Sequence, residues 1–235
     1  MPYDNMHVFT VRTTSGTKIP VFCLKYPGAK FTLLFSHGNA TDIGAMYPMF
    51  VMLARTLKIN VVGYDYTGYG SSMDDGIRPT EKQVYKDIDA VYDWCVSSGL
   101  VGNVGKELLV YGQSVGSGPT TYIASTRPVA GVVLHSALKS GLRVVTASRL
   151  LCCCDIFPNI DRIRNIQAPA FIIHGEVRTS IALACLGFHV VITLWSVVGR
   201  LCATCSHLFS FFNTVRRTGK LTLVIVKGCT KLVRE

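Results

Sequence analysis

Five short apolar runs, each closed by turn residues, constrain this chain more than any other feature: "FTLLFS" (31–36), "INVVGYDY" (59–66), "ELLVYG" (107–112), "GVVLHS" (131–136) and "AFIIHG" (170–175). They are largely apolar on both faces of an extended chain, the pattern of strands buried inside a parallel sheet. Segments with helical spacing lie between them. "IGAMYPMFVMLARTLK" (43–58) keeps that spacing through Pro48, and "PTEKQVYKDIDAVYDWCVSS" (79–98) sets Val84, Ile88, Val91 and Trp94 on one stripe. "VGSGPTTYIASTR" (115–127) is a third helix, with Pro119 near its first turn. Alternating strands and helices predict right-handed crossovers and an α/β fold, its mostly parallel sheet covered by helices on both faces. Ligands of such sheets meet the carboxyl ends of the strands. Ahead of this unit, "HVFTVRT" (7–13) and "IPVFCLKY" (19–26) read as an antiparallel hairpin turning at Thr14-Ser15-Gly16.

A chain of 235 residues, 49% of them apolar, has room for one such domain with a substantial core. The formal charge of +10 suggests nucleic acid until its distribution is read. Residues 1–176 carry 16 Lys and Arg against 13 Asp and Glu, whereas 177–235 carry 8 against 1. The body is nearly balanced, and the tail has no alternation of aromatic and basic residues, so no nucleic-acid partner is expected. The seam falls at 176–178, dividing a main body (1–176) from an apolar, basic tail (177–235).

Nine cysteines, an odd number without regular spacing, argue against a disulfide framework and for a reducing compartment. Cys202 and Cys205 have a metal-like spacing but no second pair to complete a zinc set, and Cys152-Cys153-Cys154 reads as small apolar side chains. No metal or cofactor is expected. Met1-Pro2-Tyr3-Asp4 does not open a secretory signal.

The chemistry concentrates in "VYGQSVGSG" (110–118), where Gly112, Ser114 and Gly116 form a Gly-x-Ser-x-Gly pattern. A serine on a sharp strand-to-helix turn needs glycines two residues to either side so that neighbouring chain can pass close by. Ser114 is the candidate nucleophile. "FSHGNATDIG" (35–44) leaves an earlier strand in the order expected for the other half of an oxyanion hole. The backbone amide of Asn39 or Ala40, with that of Val115, supplies the two donors. His37 reads as a loop-holding residue, and "YDYTGYGSS" (64–72) as a turn packed over the sheet edge with Asp65 as its fixing carboxylate.

In this order, "HGNATDIG", "YDYTGYGSS", "YGQSVGSGPT", "LHSALKSGLRVV", "DIFPNIDRI" and "APAFIIHG" resemble the alpha/beta-hydrolase-domain-containing protein 17 group of depalmitoylases, over roughly residues 7–175. The resemblance implies an α/β-hydrolase fold, with Ser114 on the family nucleophile and Asn39 and Val115 on its oxyanion loop and elbow. It implies a thioester substrate, the S-palmitoyl cysteine of a membrane-bound protein, or a lipid-like ester. Similar sequences are also grouped with serine peptidases of the prolyl-oligopeptidase-like clan, which keeps a peptidase alternative. The expected location is the cytoplasmic side, with membrane association.

The tail departs from this pattern. The family places an acid four residues past the histidine of "IIHG"; here that residue is Arg178, and Glu176 is the nearby substitute. For the base, His189 and His207 are the downstream candidates, and neither has the expected glycine-rich setting. A serine hydrolase needs both groups, and loss of either lowers turnover by about 10⁴-fold. An efficient enzyme is therefore not expected of the sequence as it stands, and a hydrolase-fold binding protein is the alternative. Three readings of the tail remain open: a replaced C-terminus, a membrane helix over the 21 uncharged residues 179–199, or a covering helix followed by a last strand in "KLTLVIVKG" (220–228).

Overall fold

A computed structural model describes residues 6–75, 77–141, 155–175 and 221–226. The hairpin comes first: β1 (Met6–Arg12) and β2 (Lys18–Leu24) pair antiparallel from Met6 opposite Leu24 to Arg12 opposite Lys18. Then follow β3 (Thr32–Ser36), α1 (Ile43–Leu57), β4 (Asn60–Tyr64), α2 (Glu81–Ser97) and the one-turn α3 (Val104–Glu107). The remaining elements are β5 (Leu108–Gln113), α4 (Ser117–Thr126), β6 (Gly131–His135), the short α5 (Asn159–Arg162), β7 (Ala170–Gly175) and β8 (Leu221–Val226).

Among the described residues, one eight-stranded sheet runs in the order β1-β2-β4-β3-β5-β6-β7-β8. The central strands β4, β3, β5, β6 and β7 are parallel neighbours, while β2 joins β4 antiparallel and β8 joins β7 antiparallel. The last strand that one of the three tail readings placed within 220–228 is present as β8, running against the direction of its neighbour, while the covering helix of that reading falls outside the described residues. Residues 179–199, with the membrane-helix reading placed on them, lie outside the described residues. Among the described residues no helix is long and apolar enough to cross a membrane.

Alternation along the strands divides the core in two. Leu33, Phe35 and Val61 turn to the face covered by α1, where Phe50 packs edge-on to Phe35 at 5.1 Å and Tyr111 stacks on Phe35 at 4.4 Å. Leu34, Val62 and Val110 turn to the opposite face, where they meet Ile88 and Val91 of α2 and Ile123 of α4. Burying such side chains on both faces removes about 1.5–3 kcal/mol of unfavourable hydration each, and it explains why these strands carry almost no polar residues.

Helix starts follow their caps. The Asp42 side chain accepts from Ala45 N at 2.8 Å, and the Thr80 side chain accepts from Gln83 N at 3.2 Å, so α2 starts at Glu81 rather than at Pro79. α1 runs through Pro48, and α4 starts at Ser117, after a single tight turn formed by Ser114–Gly116.

Candidate active site

β5 delivers Ser114 at its carboxyl end, and the chain reverses there into α4. Ser114 has φ 53°, a left-handed conformation that a non-glycine residue adopts only at a cost of order 1 kcal/mol or more. The surroundings hold it there. A Cβ on Gly112 would stand 2.6 Å from both Gly116 O and Thr120 Oγ1, and one on Gly116 would stand 2.1 Å from Ser36 O and 2.6 Å from His37 O. From the other side, the Ser117 hydroxyl donates to Ser114 O at 2.5 Å. That same hydroxyl accepts from Asn159 Nδ2 at 3.0 Å and from Leu138 N at 3.2 Å. The serine thus sits on a turn pinned by β3, α4 and α5 together.

The loop after β3 forms the facing wall. A Cβ on Gly38 would lie 3.8 Å from Ser114 Cβ, so the chain at Gly38 passes directly beside the serine. Asn39 and Ala40 follow, both exposed, and Ala40 has φ 54°. Val115, half-buried, packs against the α2/α4 core. Gly38 and Ser114 therefore lie side by side at the carboxyl ends of β3 and β5, with Asn39–Ala40 and Val115 next to them along the chain. Glu176, Arg178, His189 and His207 lie outside the described residues.

His37 is fully buried. Its Nδ1 donates to Gly38 O at 2.8 Å, its Nε2 stands 3.3 Å from Asp65 Oδ1, and its ring lies 4.4 Å from that of Tyr66. Asp65 Oδ1 accepts from Ile43 N at 2.9 Å, tying the start of α1 to the end of β4.

Two histidines not singled out by motif join this edge. His135 ends β6 on the same rung as Gln113, and its Nδ1 shares a 2.8 Å hydrogen bond with the Tyr111 hydroxyl. His174 lies near the end of β7, and its buried Nδ1 has no hydrogen-bond partner among the described residues. Burial lowers both from the usual 6.5, and His174 lowers His135 further by repulsion between the two cations. Their signal in the sequence is the shared ending of "VVLHS" and "FIIHG", a histidine closing an apolar strand.

The consequence for stability has a definite sign. A histidine whose folded value is depressed leaves the unfolded chain to take up protons first as pH falls through 6.5, so folding stability is full above 6.5 and declines below it. Burial raises Asp87 and Asp89, which act in the opposite sense, so a difference measurement isolates the histidines. The thermal midpoint is expected to fall from pH 7.5 to pH 5.5 by more in the wild type than in a His135→Gln/His174→Gln variant. Equal falls in the two proteins would show that neither imidazole is held neutral by the fold.

A serine on a strained strand-to-helix turn, at the carboxyl edge of a sheet ordered in this way, defines an α/β hydrolase. Esterase Pf2001 of Pyrococcus furiosus has the same fold: one crystal form superposes with a TM-score of 0.57 at 18% identity, covering 73% of this chain and 71% of that one. A second form gives 0.55 at 20% identity, covering 71% and 69%. No family model matches the chain. Alpha/beta hydrolase domain-containing protein 17B of Xenopus laevis is 42% identical over 174 residues, which are 73% of this chain and 59% of that protein. The Homo sapiens protein of the same name is 41% identical over the same coverage. Over these 174 residues the chain resembles the alpha/beta hydrolase domain-containing protein 17 family, and it spans a little under three fifths of the length of these relatives.

Proposed function

We propose that this α/β hydrolase cleaves acyl thioesters or esters through Ser114, with the S-palmitoyl cysteine of a membrane-associated protein as its substrate class. The observation that carries the reading is the left-handed Ser114 set against the Gly38–Ala40 loop. In this reading the Ser114 oxygen attacks the acyl carbonyl carbon while its proton passes to a base, for which His189 and His207 are the candidates, with Glu176 as the candidate acid. The carbonyl oxygen gains negative charge and is held by the amides of Val115 and of Asn39 or Ala40, a stabilisation of about 3 kcal/mol per donor. The thiolate leaves with the proton, and water then releases the fatty acid from the acyl-serine. The 21 uncharged residues 179–199, followed by the basic Arg200, Arg216, Arg217 and Lys220, support association with a membrane on its cytoplasmic side.

The test is covalent labelling by a serine-directed fluorophosphonate. Wild-type protein is expected to label, and Ser114→Ala to lose the label completely at unchanged thermal midpoint. Labelling that survives in Ser114→Ala removes Ser114 from the reaction. Arg178, standing four residues past His174, favours a second reading in which the fold binds an acyl chain without turning it over. A palmitoyl-cysteine peptide separates the two: steady release of thiol supports the hydrolase, and saturable binding with no release beyond one equivalent supports the binding protein.

A further inference from the structure

The segment "YDYTGY" (64–69) does more than cover the sheet edge. Four of its side chains bond the chain between the end of β3 and the start of α1, the three tyrosines in matching order. The Tyr64 hydroxyl shares a 2.9 Å hydrogen bond with the Ser36 hydroxyl, and Asp65 accepts from Ile43 N. The Tyr66 hydroxyl donates to His37 O at 2.6 Å, and the Tyr69 hydroxyl donates to Asn39 Oδ1 at 2.7 Å. Tyr66 packs edge-on against both Tyr64 and Tyr69 at 5.4 Å, so the hydroxyls are carried on a stiff aromatic stack. Burial pushes Tyr64 and Tyr66 well above the ordinary phenol value, which keeps both protonated at any pH the protein meets.

These bonds differ in what they hold. Those of Tyr64 and Tyr66 lie in the buried interior and fix the root of the loop, at Ser36 and His37. The bond from Tyr69 reaches its exposed tip, at Asn39. Ala40 beyond it is held left-handed at φ 54°, and an alanine has no local reason to stay there. With Oδ1 committed to Tyr69, Asn39 is fixed in orientation, and the backbone at 39–40 is fixed with it.

We propose that Tyr69 is a positioning residue: its hydroxyl orients Asn39 and so holds the loop tip in register with Ser114. The proposal rests on the hydrolase reading above for its catalytic meaning, although the clamp itself is a property of the folded chain. Tyr69→Phe removes one oxygen and leaves the aromatic stack. The rate constant for fluorophosphonate labelling is expected to fall about tenfold, the scale of a donor loosened from its aim, with the half-saturating probe concentration unchanged. In an Asn39→Ala background the same substitution is expected to have no further effect, because the hydroxyl has lost the group through which it acts. An undiminished Tyr69→Phe effect in that background overturns the proposal.

A readout without chemistry keeps the clamp and the hydrolase reading apart. Hydrogen exchange at the amides of 38–41 is expected to speed up in Tyr69→Phe, with the amides of β5 unchanged. Unchanged loop exchange overturns the proposal even if labelling slows. Faster loop exchange in a protein whose Ser114 never labels leaves the clamp standing and sinks the hydrolase reading instead.

Discussion

Gly116→Ala is expected to cost about 3 kcal/mol of folding stability, the upper part of the range for overpacking, and to abolish reaction of Ser114 with a serine-directed probe. The added methyl group would stand 2.1 Å from Ser36 O and 2.6 Å from His37 O, and both obstacles are backbone. No side-chain rotation relieves such a clash, so either the elbow or the loop after β3 must move by about an ångström. A displacement of that size at reacting groups costs roughly 100-fold in rate, on top of the lost stability. Denaturant titration and probe labelling of the same preparation check both effects. Gly105→Ala on the exposed α3 is the matched control, since its methyl group would meet only Asn103 Oδ1 at an ordinary 3.6 Å, and it is expected to leave both readouts near wild type. A Gly116→Ala protein that still labels at the wild-type rate would mean that the elbow and the loop are not locked together.

The strands were legible because their burial on both faces leaves almost no polar residue to confuse the pattern, as in "FTLLF" and "LLVYG". The elbow was legible for a related reason: glycines at 112 and 116 report that backbone approaches on both sides. Where the reading overran, the cause was tertiary. "INVVGYDY" looks like one strand, but pairing ends at Tyr64, because Asp65 and Tyr66 spend their polar groups on Ile43 and His37 of a neighbouring loop. Nothing in the residues themselves names those partners. The direction of β8 was hidden as well, since an apolar run such as "LTLVIV" reads alike for parallel and antiparallel pairing. The left-handed Ala40 carries no local mark, in contrast to Ser114 between its glycines. His135 and His174 were visible as strand ends, but the pairing of His135 with Tyr111 and its nearness to His174 follow from a strand order that brings β5, β6 and β7 side by side. For an acid and a base the sequence offers Glu176, His189 and His207, on none of which the described residues bear.

Asp87→Ala is expected to lose about 3 kcal/mol and, although Asp87 is remote from Ser114, to slow labelling too. Asp87 lies on α2, fully buried, and accepts from Thr67 N at 2.8 Å, from Thr67 Oγ1 at 2.8 Å and from Gln83 Nε2 at 2.9 Å. Burial pushes its carboxyl group upward and the three hydrogen bonds pull it back, so the group is tolerated only because each donor is met. Truncation leaves Gln83 free to turn to the Thr67 and Thr17 hydroxyls, which it already approaches at 3.2 and 3.1 Å, but the Thr67 amide has no such alternative. One orphaned buried amide costs about 1–3 kcal/mol, and the cavity left by the carboxylate adds to it. The functional effect follows from position: Thr67 is the residue after Tyr66 and two before Tyr69, so the turn that Asp87 fixes carries the hydroxyls holding His37 and Asn39. Asp87→Asn keeps one acceptor but turns an amide N–H₂ toward a donor, and is expected to lose about half as much. Urea titration with labelling of both variants separates the effects. If Asp87→Ala destabilises while loop exchange at 38–41 and labelling stay at wild-type rates, the aromatic stack holds the loop without help from α2.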